Sequence, residues 1–320
     1  MPIDPFLEPL LATLPSMPEE IDFPTWRREG DAVADSLVEQ LAEPGPPIKE
    51  RREITIPVAG GNIDLVIHQP DTEQPLPAHL YIHGGGWVGG SAKQKFIDIV
   101  GQERAVGAGC VVIAVDYRKA PEHKYPTGLN DCYAALIWVA EHADELGIRP
   151  DLITVGGGSA GANLSAALAL KARDEGGPRI AFQLLEVPAL DATLSSASHR
   201  TNGTGYGLEE TEIERLVDYY LPSRTLLDDP YVSPLLAPDL AGSPPAHIMS
   251  AEYDPLRDEG ERYAQRLNDA GVPATFTLGH GHIHVSPAFT KVMASARDWR
   301  DEAVAVLKLA HHPAGSAASA

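Results

Sequence analysis

Hydrophobic and polar residues follow two periods along this chain, one typical of strands and one typical of helices. Short runs rich in β-branched and apolar residues predict strands at 53–58, 62–68, 78–82, 110–115, 152–155, 181–187, 246–251 and 274–278. Apolar positions at helical spacing predict helices near 94–107, 128–146, 160–174, 255–270 and 288–309. Because helices and strands alternate after the third strand, we expect strands joined by helical crossovers.

The later predicted strands are apolar along their length instead of alternating, as at 111–115 and 152–155. This pattern is expected where helices cover both faces of a parallel sheet. The predicted fold class is therefore α/β, with a mostly parallel central sheet flanked by helices. Ligands of such sheets bind at the carboxyl ends of the strands, and residues that directly follow a strand are the first candidates for chemistry.

The segment before the first strand has a different pattern. Residues 4–42 show apolar positions at helical spacing, and we expect helices broken by Pro15, Pro18 and Pro24. The prolines and glycine of 43–47 cannot continue a helix. We therefore place a boundary there, with an N-terminal helical part at 1–47 and the main domain at 48–313.

A second helical stretch, at 208–220, lies within a segment from 190 to 240 that is too long for a simple connection. We expect an insertion, at about 190–230, that covers part of the main domain. The small and polar tail from His311 to Ala320 is expected to fray, with 314–320 flexible.

Composition and charge narrow the class of partner. The 320 residues are 43% hydrophobic and 22% charged, an ordinary globular balance. A formal net charge of -20 repels phosphate backbones and anionic membranes, so a nucleic-acid partner is not expected. The start of the chain lacks the pattern of a secretory signal, and no window approaches a bilayer-spanning apolar run. We expect a cytoplasmic protein without stable membrane insertion, whose two cysteines, Cys110 and Cys132, are buried and unbridged.

A glycine-rich turn follows the strand that ends at Val155. Residues 157–161 read Gly-x-Ser-x-Gly between a predicted strand and a predicted helix. A turn this sharp strains its apex and projects the side chain of Ser159 outward, which suits a nucleophile. The amide of Ala160, at the positive end of the helix, can donate to an oxyanion. The alternative is a glycine turn that binds a phosphate or only connects two elements.

A second glycine cluster, HGGGW at 83–87, follows the predicted strand at 78–82. Successive glycines leave backbone N–H groups unshielded, and such groups can hold the oxygen that becomes negative during acyl transfer. A tight turn at a sheet edge is the alternative interpretation.

A serine nucleophile needs a base, and the base needs a carboxylate to orient it. Three histidines at a period of two, His280, His282 and His284, are candidates for the base, and their spacing leaves the choice among them open. The same period could also bind a metal ion, but no acidic or cysteine cluster accompanies it.

For the carboxylate, Asp254 is favoured because residues 251–255 leave a predicted strand for a loop. Glu252 and Asp258 are the nearest alternatives, although Asp258 is predicted to lie on the following helix, where a solvated carboxylate near the positive helix end is the simpler interpretation.

Four motifs together resemble the successive signatures of the hormone-sensitive-lipase-like esterases, bacterial family IV. They are HGGGW at 83–87, DYRKAPEH at 116–123, GGSAGANL at 157–164 and YDPLRDEG at 253–260. The resemblance spans about residues 50–310 and implies an α/β-hydrolase core under a helical cap. It further implies a carboxylic ester hydrolase for short to medium acyl esters, with no metal or organic cofactor and with a possible homodimer.

Carried over by position, the resemblance assigns the nucleophile to Ser159, the acid to Asp254 and the base to His284. The oxyanion hole falls on the amides of Gly85, Gly86 and Ala160. Trp87, Gly158 and Tyr206 are candidates for contact with the substrate.

Two positions depart from the family pattern: Gly158 stands where Asp or Thr is usual, and Val285-Ser286 follow His284 where Gly-Phe is usual, which keeps His282 as the alternative base. A lactonase or amidase with the same machinery, or a non-catalytic ligand-binding protein on the same fold, are the alternative functions.

Overall fold

The computed structural model describes residues 2–13, 17–73 and 75–312. Their strands are β1 (Glu50–Val58), β2 (Gly61–Gln69), β3 (Leu76–Ile82), β4 (Val111–Asp116), β5 (Ile148–Gly158), β6 (Ile180–Glu186), β7 (Ala246–Tyr253) and β8 (Ala274–Ile283). Their α-helices are α1 (Leu7–Leu11), α2 (Phe23–Leu41), α3 (Lys95–Ala108), α4 (Thr127–Glu141), α5 (Ala143–Leu146), α6 (Ala160–Glu175), α7 (Ala197–Asn202), α8 (Glu210–Tyr220), α9 (Arg257–Asp269) and α10 (Ala294–His311). Short 3-10 turns lie at Arg224–Leu226, Pro234–Leu236 and Ser286–Ala288.

The strands form one sheet in the order β1-β2-β4-β3-β5-β6-β7-β8. Strand β2 runs antiparallel to both of its neighbours, and all pairings from β4 to β8 are parallel. The β1–β2 hairpin turns at Ala59-Gly60, where Gly60 has a φ of +78° that a residue without a Cβ adopts at little cost. The expected α/β class with a mostly parallel sheet is confirmed.

Helices cover both faces of the sheet, which explains the apolar strands. Along β4, Val111, Ile113 and Val115 pack into one hydrophobic core with α4 and α6, whereas the alternate residues Val112 and Ala114 pack into a second core with α3 and α10. Successive side chains of a strand point to opposite faces, so a strand buried on both faces must be apolar at every position.

The N-terminal segment and the insertion lie against each other. The ring of Phe23 in α2 meets the ring of Tyr219 in α8 edge to face, with 4.9 Å between centroids. The guanidinium of Arg215 in α8 donates to the carbonyl oxygens of Met17, Pro18 and Glu19. The two segments, far apart in the chain, are therefore joined by both apolar and polar contacts.

The prolines of the N-terminal segment have different roles. Pro24 does not break a helix, contrary to the prediction, because it occupies the first turn of α2, where a missing N–H costs nothing. The helix ends at Leu41, and the stretch at 43–47 is not helical, as predicted. Pro15 and the predicted flexible tail at 314–320 lie outside the described residues.

Four predictions about where elements begin, end or continue, near the C-terminus and in the middle of the chain, are wrong. Strand β8 continues to Ile283 instead of ending at 278, because its pairing with β7 resumes at Tyr253–Ile283 after a register shift that follows the pair Ala251–Gly279. The last helix begins at Ala294 instead of 288, and it extends to His311, which is buried and does not fray. The helix predicted at 128–146 is divided into α4 and α5.

Two findings concern the whole of the described chain. Cys110 and Cys132 are free and buried, as predicted. None of the helices within 2–13, 17–73 and 75–312 combines the length and the apolar character needed to cross a membrane.

Candidate active site

The turn between β5 and α6 is strained at Ser159. This residue has φ 58° and ψ −123°, which is a conformation that residues with a Cβ rarely adopt. Its N–H donates to the carbonyl of Glu186 at 2.9 Å, so that β6 holds the turn from the side. Strand β5 ends at Gly158 and helix α6 begins at Ala160, and the side chain of Ser159 is therefore presented at the carboxyl edge of the sheet.

The glycines of this turn are not equivalent. A Cβ on Gly157 or Gly161 would stand 2.1 or 2.0 Å from the carbonyl oxygen of Ile82, because the turn packs directly on β3. A Cβ on Gly158 would find its nearest neighbour, the hydroxyl of Tyr81, at 3.9 Å. The site usually occupied by Asp or Thr in the family thus has room for a side chain in this chain.

We expect opposite effects from two alanine substitutions in the turn. Gly161→Ala should lower the free energy of unfolding by about 3 kcal/mol or more, since backbone atoms must move to admit the methyl group. Gly158→Ala should raise it by about 0.5 kcal/mol, since the methyl group fits and the unfolded chain loses freedom. Urea denaturation of both variants beside the wild type measures the difference, and equal midpoints for the two variants would contradict the packing described here.

The imidazole of His284 connects the serine with a buried carboxylate. His284 Nε2 lies 2.9 Å from Ser159 Oγ, and His284 Nδ1 lies 2.7 Å from Asp254 Oδ2. Because the ionised carboxylate only accepts, Nδ1 carries the proton and Nε2 is left to accept from the hydroxyl. Asp254 is completely buried, whereas the His284 side chain is 11% exposed. The structure thus brings together the three residues that the resemblance paired.

The carboxylate of Asp254 is held on its other side as well. Its Oδ1 accepts the N–H of Leu256 at 2.9 Å, and its carbonyl oxygen accepts the side-chain amide of Asn202 at 3.1 Å. Asn202 also donates to the carbonyl of Glu252. Sequence reasoning missed Asn202, because α7 is a short helix without an apolar period that would mark its buried face.

Helix α7 also contacts the start of α9 through a buried pair. His199 Nε2 lies 2.7 Å from Glu259 Oε1, and both side chains are fully buried. The carboxylate of Glu259 accepts the amides of Leu190 and Asp191 at the start of the insertion. Burial raises the pKa of Glu259 to about 7. Hydrogen bonds of Glu259 therefore connect the start of α9, which follows the loop of Asp254, to the insertion.

The HGGGW loop lies directly beside the serine turn. A Cβ on Gly84 would stand 2.9 Å from the carbonyl oxygen of Gly158 and 3.4 Å from Ser159 Cβ. Gly85 and Gly86 have φ of 111° and 59°, which glycine adopts without steric cost. A Cβ on Gly86 would lie 2.8 Å from the methyl groups of Leu216 in α8. Close packing on both sides explains why this loop consists of glycines.

Charged groups below the loop fix its first residue. His83 Nδ1 donates to the carbonyl of Gly84 at 2.7 Å, and its Nε2 lies 3.5 Å from Asp116 Oδ1. Burial lowers the pKa of His83. Burial would raise the pKa of Asp116, but the interactions with His83 and Lys119 outweigh it and hold that pKa well below its usual range. These residues sit beneath the loop and do not touch Ser159.

The three residues predicted to contact substrate have different surroundings. Trp87 is 5% exposed, stacks on Tyr220 at 4.5 Å and donates to Asn163 Oδ1 at 3.2 Å. Tyr206 is half-buried and packs against Tyr253 with 5.0 Å between ring centroids. Gly158 adjoins the serine. Contact with a substrate stays a prediction for all three.

The other two histidines of the run have separate partners. His280 Nδ1 lies 3.2 Å from Glu252 Oε2, and His282 Nδ1 lies 2.7 Å from Ser286 Oγ. Neither is paired with Ser159 or Asp254, and the structure therefore favours His284 over His282 for the contact with the serine. No group of three or more His, Cys, Asp or Glu side chains suited to a metal ion occurs in the part of the chain that the structure describes.

The sheet order, the strained serine turn and the hydrogen-bonded Ser–His–Asp series define an α/β hydrolase of the serine-hydrolase class. Comparison with known proteins agrees. A family model described as the alpha/beta hydrolase fold matches residues 79–288. Carboxylesterase NlhH from Mycobacterium tuberculosis is 40% identical to this chain, with 97% of each chain covered.

Two further relatives extend the comparison. An arylesterase from Saccharolobus solfataricus is 36% identical, with 89% of this chain and 92% of its own length covered. The solved structure of a hyperthermophilic esterase from the archaeon Pyrobaculum calidifontis superposes with a TM-score of 0.90 at 36% identity, covering 96% of this chain and 98% of that one. The chain belongs to the family of hormone-sensitive-lipase-like, bacterial family IV carboxylesterases.

Proposed function

We propose that the chain hydrolyses carboxylic esters through an acyl-enzyme formed on Ser159. The observation that carries the proposal is the unbroken hydrogen-bond series from Ser159 Oγ through His284 to Asp254. In the first step Oγ attacks the ester carbonyl while His284 Nε2 takes the hydroxyl proton. His284 then gives that proton to the leaving alcohol, and the buried charge of Asp254 stabilises the imidazolium between these transfers.

Water completes the cycle from the same positions. After the alcohol leaves, a water molecule beside His284 Nε2 loses its proton to the imidazole and attacks the acyl carbonyl. The proton returns to Ser159 Oγ as the acid is released, and the enzyme regains its starting state. No redox change occurs at any step, and the residues described above supply the proton transfers.

The negative oxygen of the tetrahedral intermediate is proposed to lie between the HGGGW loop and the start of α6. The amides of Gly85, Gly86 and Ala160 are its proposed donors. Support comes from the position of Gly84 against the serine turn and from the helix that begins at Ala160, whose positive end faces Ser159. Each such donor typically lowers the barrier by about 3–4 kcal/mol.

The cap is proposed to consist of the N-terminal part at 1–47 and the insertion at about 190–230. Its helix α8 places the methyl groups of Leu216 against Gly86, next to the proposed oxyanion hole. Space for an acyl chain is therefore restricted on this side, which supports short to medium acyl groups. Pairing into a homodimer also remains a proposal.

A series of p-nitrophenyl esters from acetate to laurate tests the proposed reaction. We expect kcat/KM to be highest for a short or medium acyl chain and to decline toward laurate, because selectivity in an apolar pocket amounts to about 1–3 kcal/mol per methylene. An organophosphate should label the chain once, with the phosphoryl group on Ser159 by mass spectrometry. The proposal fails if no ester of the series is turned over and Ser159 stays unlabelled.

A further inference from the structure

Glu186 occupies a position that links the nucleophile turn to the face of the sheet opposite α4 and α6. It is the last residue of β6, and its backbone lies between Gly158 of β5 and Met249 of β7. Its carbonyl oxygen accepts the Ser159 N–H at 2.9 Å. Any displacement of Glu186 is therefore transmitted directly to the strained turn.

The carboxylate of Glu186 is held by donors from two helices. Oε1 accepts the indole N–H of Trp299 in α10 at 2.9 Å, and Oε2 accepts Nη2 of Arg104 in α3. The side chains of Glu186 and Arg104 are 13% and 5% exposed. A charged hydrogen bond shielded from water is stronger and more rigid than an exposed one, so this carboxylate has one well-defined orientation.

Arg104 is itself fixed by groups on the central strands. Its guanidinium lies over the ring of Tyr81 at 4.7 Å, and its Nη1 lies 3.4 Å from His79 Nε2. Because arginine only donates, His79 Nε2 must accept, and its Nδ1–H then donates to Thr154 Oγ1 at 2.9 Å. The arginine thus cannot shift without disturbing a buried polar series across β3 and β5.

Trp299 connects the same carboxylate to the loop that carries His284. A Cβ on Gly279 would stand 2.6 Å from the Trp299 ring. The centroids of the Trp299 and His282 rings are 5.6 Å apart. His282 in turn pairs with Ser286 Oγ, which accepts the N–H of Ile283 at 3.0 Å. Ile283 and Ser286, which precede and follow His284, are therefore connected to Trp299 through the ring of His282.

We propose that Glu186 is a positioning residue, and that its hydrogen bond to Trp299 keeps the Ser159 turn and the His284 loop in register for proton transfer. The inference rests on the proposed ester hydrolysis. Glu186 and Trp299 lie on the side of the sheet covered by α3 and α10, and cap residues such as Leu216 pack into the core on the other side. Substitution of Glu186 or Trp299 should therefore change the relative positions of Ser159 and His284 and leave substrate binding unchanged.

Trp299→Phe tests this role with the least disturbance, because the aromatic ring remains and the N–H donor is lost. We expect kcat for p-nitrophenyl butyrate to fall about tenfold with KM within about twofold of wild type, since a misplacement of 1 Å can cost about a hundredfold in rate. Trp138→Phe is the matched control: Trp138 in α4 stacks on His142 at 4.1 Å, away from both loops. Its kcat and KM should equal those of wild type.

Glu186→Gln and Glu186→Leu supply a second, independent comparison. Glutamine retains one acceptor oxygen for the two donors, Trp299 and Arg104, and leucine retains none, so kcat should be higher for the glutamine variant. A kcat of Trp299→Phe within twofold of wild type, or a change confined to KM or to thermal stability, overturns the proposal. If wild-type protein neither turns over the ester nor reacts with the organophosphate, the ester-hydrolase proposal itself has failed.

Discussion

Replacing Ser159 with alanine is expected to reduce kcat for p-nitrophenyl butyrate by about 10⁶-fold, because the hydroxyl held by His284 Nε2 is the one that is lost. The alanine variant keeps the Cβ and the strained backbone at φ 58°, and the hydroxyl is the group that is removed. We therefore expect its melting temperature to stay close to that of wild type. Initial rates at saturating ester, corrected for hydrolysis in buffer, measure the loss.

Ser165→Ala is the matched control for this substitution. Ser165 lies in the same helix that begins after Ser159, and its hydroxyl donates to the carbonyl of Gly161 at 2.8 Å. It is fully buried and takes no part in the hydrogen bonds of His284. Wild-type kcat is expected for this variant. If Ser159→Ala retained more than a small fraction of wild-type kcat, acyl transfer would have to proceed through another nucleophile.

The order of the secondary structure elements could be predicted from the sequence because a strand buried on both faces has no polar alternation. The run at 111–115 illustrates this, since its side chains enter two different cores in turn. Element boundaries that depend on pairing with a neighbouring strand could not be predicted. Residues 280–282 of β8 lie between the pairs Ala251–Gly279 and Tyr253–Ile283, in a register shift. Regular pairing resumes only at Ile283, and the local sequence does not record this.

The residues of the proposed site that lie within sequence motifs, or that the resemblance assigns, could be predicted, and the others could not. Ser159 follows from a glycine pattern with a local steric cause, and Asp254 is favoured by its position after a predicted strand. His284 needed the resemblance to separate it from His280 and His282. Asn202 and Glu186 carried no recognisable signal. Their positions depend on long-range contacts that no local pattern records. These contacts join α7 to the loop that carries Asp254, and β6 to α10.

Aromatic side chains gave the weakest basis for prediction. Trp87 follows three glycines at a strand end, where either packing or contact with a ligand is chemically reasonable. In the structure its ring stacks on Tyr220 and its N–H is bonded to Asn163. The course of α8 brings Tyr220 to this position, and the sequence around residue 87 holds no information about that course.

Asp254→Asn is expected to lower kcat by about 10⁴-fold through the wrong tautomer of His284. The Oδ1 atom of Asp254 accepts the N–H of Leu256 at 2.9 Å, so an asparagine must keep its oxygen on that side. Its NH₂ group then faces His284 Nδ1, which must become the acceptor, and the ring proton moves to Nε2. A protonated Nε2 cannot take the proton of Ser159, although the distances hardly change. Steady-state hydrolysis of p-nitrophenyl butyrate gives kcat and KM for the variant.

The pattern of the two parameters distinguishes this tautomer effect from a general loss of structure. KM of Asp254→Asn should stay within a few-fold of wild type, because the substituted atom lies behind the imidazole and is fully buried. Asp258→Asn, four residues further along at the start of α9, removes a carboxylate bonded to the Ser198 amide and should keep wild-type kcat. Equal losses in the two variants would mean that Asp254 acts by stabilising the loop, and would remove the basis for assigning it the orientation of His284.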